Sequence, residues 1–228
     1  MRIRLLPVVS VLLLSLAASL AFAAPRSPQV PVSGTALAAF FASQGQVINV
    51  STDQLDLQTL SVPAGTSFEV HTFGPQATST SVGTYNANGA KRTPPALYTV
   101  LAGATAPGWY AAASFRSGPS RMLVNIFDAL NTLQGTNTYQ GANAASFAIY
   151  DTGPGGTFYL EDVRNPGGAA LILAYSGTGL RSGWTWFACE SSSGSGGDFA
   201  DFVVAVNLSS ATTPVTHTAW GELKAMFR

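Results

Sequence analysis

The feature that most constrains this chain is a succession of short apolar runs, each alternating between two faces and each ended by turn residues. The runs are VINV (47–50), LQTLSV (57–62), SFEVHTF (67–73), LYTVL (97–101), WYAAASF (109–115) and RMLVNIF (121–127). They continue as SFAIY (146–150), TFYLE (157–161), ALILAY (170–175), WTWFACE (184–190) and DFVVAVN (201–207). Between them lie VPAGT, NANGAKRTPP, RSGPS, DTGPGG, RNPGG and SGTGLRSG, segments whose glycines permit positive φ and whose prolines fix turns. Many short strands with such turns and little helix predict a mostly β fold, an antiparallel β-sandwich or jelly roll.

The run GWTWFACESSSGSGGDFADFVVAVNL, residues 183–208, shows the pattern most clearly. Trp184, Trp186 and Ala188 fall on one face, Thr185, Phe187 and Cys189 on the other. Phe202, Val204 and Val206 oppose Val203 and Ala205 in the same way. A glycine- and serine-rich loop joins the two runs, which predicts an antiparallel hairpin. Both runs are apolar on both faces, as expected of central strands covered by a second sheet on one side and by a helix on the other.

That helix is expected at GTALAAFFASQG, where Leu37, Phe40 and Phe41 recur at helical spacing, Ser33 or Thr35 caps the start and Gly45 ends it. A second short helix is expected in the tail THTAWGELKAMFR. Trp220, Leu223 and Phe227 form its apolar stripe, with Glu222 early and Lys224 and Arg228 late, as the helix dipole favours. The stripe either docks on the body or is displayed to another protein.

The first residues are read as a secretion signal. MRIR is basic, LLPVVSVLLLSLAASLAF is apolar, and Ala21 and Ala23 precede a cleavage point that leaves Ala24 first. The domain reading is therefore a signal over 1–23, a Pro/Ser/Gly linker over 24–34 and one β-sandwich domain over 35–228. With no second long apolar run, no membrane span is expected after cleavage. Removing Arg2 and Arg4 from the 11 basic residues leaves 9 against 11 acidic ones, a formal charge of −2. That balance argues against a nucleic-acid partner. Cys189 is the single cysteine, so no internal disulfide forms; its strand position suits a buried small apolar group.

Chemistry is sought among the acids, because five of the 11, Glu161, Asp162, Glu190, Asp198 and Asp201, lie in one stretch of the sequence. The hairpin register places Glu190 near Asp201, with Asp198 on the loop before it. Like charges within ~4–6 Å disfavour ionisation unless a cation joins them. Calcium suits carboxylates beside glycine-loop carbonyls, which makes Glu190, Asp198 and Asp201 the candidate metal ligands. The bland alternative has these acids capping turns and facing water. A carboxylate-pair glycosidase built on Glu161 and Glu190 is the catalytic alternative. Among the aromatics, Trp109, Tyr110, Trp184 and Trp186 form either core or a sugar-stacking platform. His71 alternates onto the face of Glu69, and His217 lies near the tail helix. No G-x-S-x-G, H-E-x-x-H or P-loop pattern is present.

The segments SVGTYNA, FYLEDVRNPGGAALILAY and the 183–208 run resemble the bacterial family called domain of unknown function 4114, most clearly over residues 146–208. The resemblance rests on an aromatic-led segment before N-x-G-G, an apolar run ending in Ala-Tyr, and acids flanking a Gly-Gly stretch before a valine-rich strand. It carries the family's acidic positions onto Glu190, Asp198 and Asp201. Ser191, Ala200, Gly196 and Leu171 stand where relatives carry an acid, an asparagine, an aspartate and a histidine. The resemblance implies an exported or surface protein without an agreed activity. The combined expectation is an exported bacterial structural or binding module, in the medium, at the cell surface or in the periplasm. Its expected partner is an extracellular polysaccharide or a surface protein. A hydrolase acting on an extracellular polymer is the rival.

Overall fold

The computed structural model describes residues 23–208 apart from 64, 66, 74–80, 92, 103–107, 117–119, 154 and 191–196. The expected signal segment up to residue 22 and the expected tail helix lie outside the described residues, as does most of the 191–197 loop. Two antiparallel sheets pack face to face, with one short helix on the outer face of the larger, so the mostly β, sandwich-like expectation holds.

The strands are β1 (Gln54–Leu55), β2 (Ser67–Thr72), β3 (Ser81–Asn86), β4 (Leu97–Leu101), β5 (Tyr110–Arg116) and β6 (Arg121–Phe127). They continue with β7 (Leu133–Gln140), β8 (Phe147–Gly153), β9 (Gly156–Tyr159), β10 (Ile172–Ser176), β11 (Trp184–Cys189) and β12 (Phe202–Asn207). The larger sheet runs β1-β10-β11-β12-β2-β5-β6-β7 and the smaller β4-β3-β8-β9. The predicted hairpin is present: Trp184 pairs with Asn207, Phe187 with Val204 and Cys189 with Phe202.

Alternation along these strands separates two apolar clusters. Phe187, Cys189, Phe202, Val204 and Val206 point between the sheets, where they meet Phe68, Val70, Val124, Phe147 and Ile149. Trp186, Ala188, Val203 and Ala205 point the other way and are covered by the helix α1 (Ala36–Ser43), through Leu37 and Phe41. Phe41 meets Tyr175 and Trp186 edge-on at 5.2 and 5.7 Å. The buried polar atoms of this second cluster are satisfied: Trp186 Nε1 donates to Gln46 Oε1 (3.2 Å) and the Tyr175 hydroxyl to the Val50 carbonyl (3.0 Å). The helix thus covers only the β10-β11-β12 half of the larger sheet.

Several sequence expectations shift. VINV is not a strand and leads into a turn in which Asp53 Oδ2 accepts from the Asn49 amide (2.8 Å) and the Asn49 carbonyl accepts from the Asp53 amide (2.9 Å). LQTLSV forms no strand; it makes an isolated bridge, Leu60 to Phe147, and its Val62 amide donates to Ala144 O (2.9 Å). β3 and β7 were not expected as strands; their glycines, asparagines and threonines carry little apolar alternation. Gly83 in β3 is required by packing, since a Cβ there would lie 2.3 Å from the Tyr98 carbonyl oxygen and 2.7 Å from the Tyr150 ring. The 24–34 segment, expected to be a linker, is docked. The Arg26 amide donates to Gln54 O (2.8 Å), the Gln54 side chain holds both Val30 N–H and C=O, and Arg26 pairs with Asp162.

Candidate functional site

Glu190, Asp198 and Asp201 lie at one end of the β11–β12 hairpin and each shows its own contacts. Glu190 is buried at the end of β11, where its amide donates to Leu171 O (3.0 Å) and its carboxylate accepts from the Phe199 amide at 3.5 Å. Asp198 accepts from the Ala200 amide (3.1 Å), a local turn-stabilising bond. Asp201 instead acts electrostatically on Asp151 and Cys189. Among the described residues no group of three or more His, Cys, Asp or Glu side chains is placed to hold a metal ion.

Glu161 is clamped. Its carboxylate pairs with Lys91 and Arg164 and is nearly inaccessible. The Arg164 guanidinium also donates to the carbonyls of Gly89, Ala90 and Thr93 and lies 5.3 Å from the Tyr85 ring centre. Arg164 therefore ties the 87–93 loop to the 3₁₀ turn Asp162–Arg164, and Glu161 neutralises it. Both carboxylate oxygens of Glu161 are thus already engaged by cations.

The N-P-G-G segment that follows has a structural explanation. Asn165 Oδ1 accepts from the Tyr159 amide (2.8 Å), and its Nδ2 donates to the carbonyls of Tyr159 (2.8 Å) and Ala169 (2.9 Å). The side chain thus continues the ladder beyond β9, and Gly167 and Gly168 turn the chain at φ 65° and 72°.

Asp151 was missed by the sequence reading, hidden in the run SFAIYDTG as an apparent turn residue. It sits within β8, fully buried, and neither carboxylate oxygen has a hydrogen-bond partner among the described residues. Burial pushes its carboxyl up to about 7, with Asp201 adding to the rise. The neighbouring Thr152 amide pulls weakly the other way without reaching hydrogen-bonding geometry. Burial, Asp151 and Asp201 also push the Cys189 thiol well above its ordinary value, which leaves it an unreactive core group.

The most distinctive surface is the half of the larger sheet that α1 leaves open. There Glu69 and His71 of β2, Tyr110, Ala112 and Ser114 of β5, and Leu123, Asn125 and Phe127 of β6 face outward, each only partly buried. Register aligns them into rows. His71 pairs with Tyr110 and Tyr110 with Phe127, while Asn207, Glu69, Ala112, Asn125 and Thr136 form the row beside them. Ring centres in the first row are 4.8 and 4.9 Å apart with planes 8° and 13° from parallel. These separations equal the spacing of neighbouring strands, so the rings stand on the sheet like books on a shelf. Their faces are used on each other; their edges and polar tips point outward. His71 Nε2 lies 3.0 Å from Glu69 Oε2, and the Tyr110 hydroxyl donates to Asn131 Oδ1.

The row ends at Arg181. Trp184 lies 4.8 Å from His71, and the Arg181 guanidinium rests over the rings of Trp184 (4.6 Å), Phe73 (4.2 Å) and Trp186 (5.8 Å). Gly179 at φ 56° opens the 3₁₀ turn Gly179–Arg181 that places the side chain there. No carboxylate among the described residues pairs with this guanidinium. Partial burial pulls its pKa down, so an arriving anion would relieve a charge the protein leaves under-compensated. Of the four aromatics singled out in sequence, Trp186 is core and Tyr110 and Trp184 belong to this face. Trp109 contributes its carbonyl, which accepts from Thr72 N and Oγ1 at 3.0 Å each. Arg181, in the turn SGTGLRSG, gave no sequence signal.

In comparison with known proteins, no family model matches this chain and no curated protein matches it, so the resemblance over residues 146–208 rests on its motif residues alone.

Proposed function

We propose that the chain is an exported, non-catalytic binding module that takes a carboxylate-bearing extracellular polysaccharide on the open half of its larger sheet. The observation that carries this reading is the Arg181 guanidinium, its centre 4.2 Å from the Phe73 ring centre and 4.6 Å from that of Trp184, with no acidic partner among the described residues. A guanidinium held against aromatic rings can still bind a carboxylate through two parallel hydrogen bonds. Hydroxyls of the same polymer would find acceptors and donors in Glu69, Asn125, Asn131 and Thr136, along the shelf of ring edges. The signal-like N-terminus and the low charge content are in keeping with work outside the cell.

Binding of the exported chain to polygalacturonate and to neutral dextran tests the reading. Wild type should retain the acidic polymer and pass over dextran. Arg181→Gln should weaken acidic-polymer binding tenfold or more, because a charge-assisted pair is lost, while Arg181→Lys restores only part of it. Equal retention of both polymers, or an unchanged affinity in Arg181→Gln, would overturn it.

A further inference from the structure

The four sheet edges differ in how they are protected. β1 has two residues and is covered by the Pro25 bridge and the Arg26 amide. β9 has four, and the Asn165 side chain occupies the backbone of Tyr159 at its end. β4 has five. β7 has eight, stands last in the larger sheet, and among the described residues pairs with β6 alone. Exposed edges of this length normally carry lysine, proline or inward charges that block further pairing. LQGTNTYQ contains none of these, and most of its side chains are exposed.

The sequence of this edge is nearly a palindrome. About Asn137, Thr136 mirrors Thr138, Gln134 mirrors Gln140, and Gly135 mirrors Tyr139. We infer that β7 is a homodimer interface, in which two copies of the chain pair their β7 strands antiparallel about a two-fold axis through Asn137. An isologous interface requires a surface complementary to itself, and the palindrome supplies it. Thr136 of each copy meets Thr138 of the other, Gln134 meets Gln140, and Gly135 meets the backbone of Tyr139, whose ring stays packed on Tyr98 with its hydroxyl bonded to Thr99 O (2.7 Å). Threonine pairs are favourable cross-strand partners. Outward side chains of β7 stay outward after pairing, so both open faces look to the same side. A polymer spanning them would engage two copies at once and gain in avidity. The paired edge buries little area, so the dimer is a concentration-dependent one.

Sedimentation equilibrium of the exported chain, up to ~500 µM, should show a monomer–dimer equilibrium with a dissociation constant in the micromolar range. Thr136→Lys with Thr138→Lys should return the monomer mass with a cooperative melt retained, since both sites face solvent and only the exposed Thr136–Asn125 side-chain bond is lost. Mixing that chain with its Thr136→Glu, Thr138→Glu counterpart should restore a dimer. As a separate measurement, Asn137→Cys should form an intermolecular disulfide under mild oxidation, whereas Gln134→Cys and Gln140→Cys alone should not, because only residue 137 meets its own copy. Monomer mass throughout, or equal cross-linking at all three positions, would overturn the inference. A dimer that persists in the lysine variant would equally place the interface elsewhere.

Discussion

Asp151→Asn probes the least expected feature of the fold, a carboxyl sealed in the sandwich. Its ordinary pKa is 3.8; in the folded chain burial first, and Asp201 second, raise it to about 7. Below the lower value both folded and unfolded chains hold the proton, and the full stability is present. Between the two values the unfolded chain releases the proton while the folded chain keeps it. Stability then falls as pH rises, by up to 1.36 kcal/mol per pH unit, and levels off above about 7. A shift of about three units corresponds to a total loss of roughly 4 kcal/mol, a large share of a typical domain's stability. Asparagine has the same shape and does not ionise, so this loss disappears. Its amide, like the protonated carboxyl, lacks partners and costs about 1–3 kcal/mol at every pH, leaving the slope unaffected. Urea unfolding of wild type and variant at pH 4 and pH 8 gives the change directly. The wild type should lose roughly 4 kcal/mol more than the variant between those conditions, because other ionisations cancel in the comparison. Asp201→Asn should reduce the wild-type loss in part, making it level off at a lower pH, by removing the second cause. Parallel pH profiles for wild type and Asp151→Asn would refute the reasoning.

Two further substitutions test local packing. Asn165→Ala removes three backbone-directed hydrogen bonds at a buried site and should cost about 2–4 kcal/mol, read from the denaturation midpoint; an unchanged midpoint would contradict its role beside β9. Gly83→Ala should cost at least about 2 kcal/mol or prevent folding, because the added methyl meets backbone at 2.3 Å; a normally folded variant with wild-type melting would show that β3 and β4 can separate.

What the sequence revealed follows from where its signals are local. Period-two alternation in Phe202–Val206 and Trp184–Cys189 exposed the hairpin, its register and its two covered faces, because each residue's side is fixed by the strand itself. The helix over Ala36–Ser43 was legible for the same reason. β3 and β7 escaped because pairing with neighbours, and not apolar alternation, makes them strands. The acidic rim was expected from sequence proximity, yet side-chain direction decides convergence. Glu161 turned to Lys91 and Arg164, and Glu190 to the Phe199 amide. Arg181 and Asp151 were invisible because their meaning lies in distant contacts. A turn arginine becomes notable only when Phe73 and Trp184 lie beneath it, and an aspartate within β8 only when it is buried against the other sheet.

The central claim is that the open half of the larger sheet is the binding face. Titrating the ¹⁵N-labelled protein with a short oligogalacturonide, while following backbone amide shifts, tests it most directly. The account predicts saturable shifts concentrated at His71, Tyr110, Asn125, Arg181 and Trp184, with Glu161 and Glu190 unmoved. Shifts centred on the 190–201 rim, or none at saturating ligand, would contradict it.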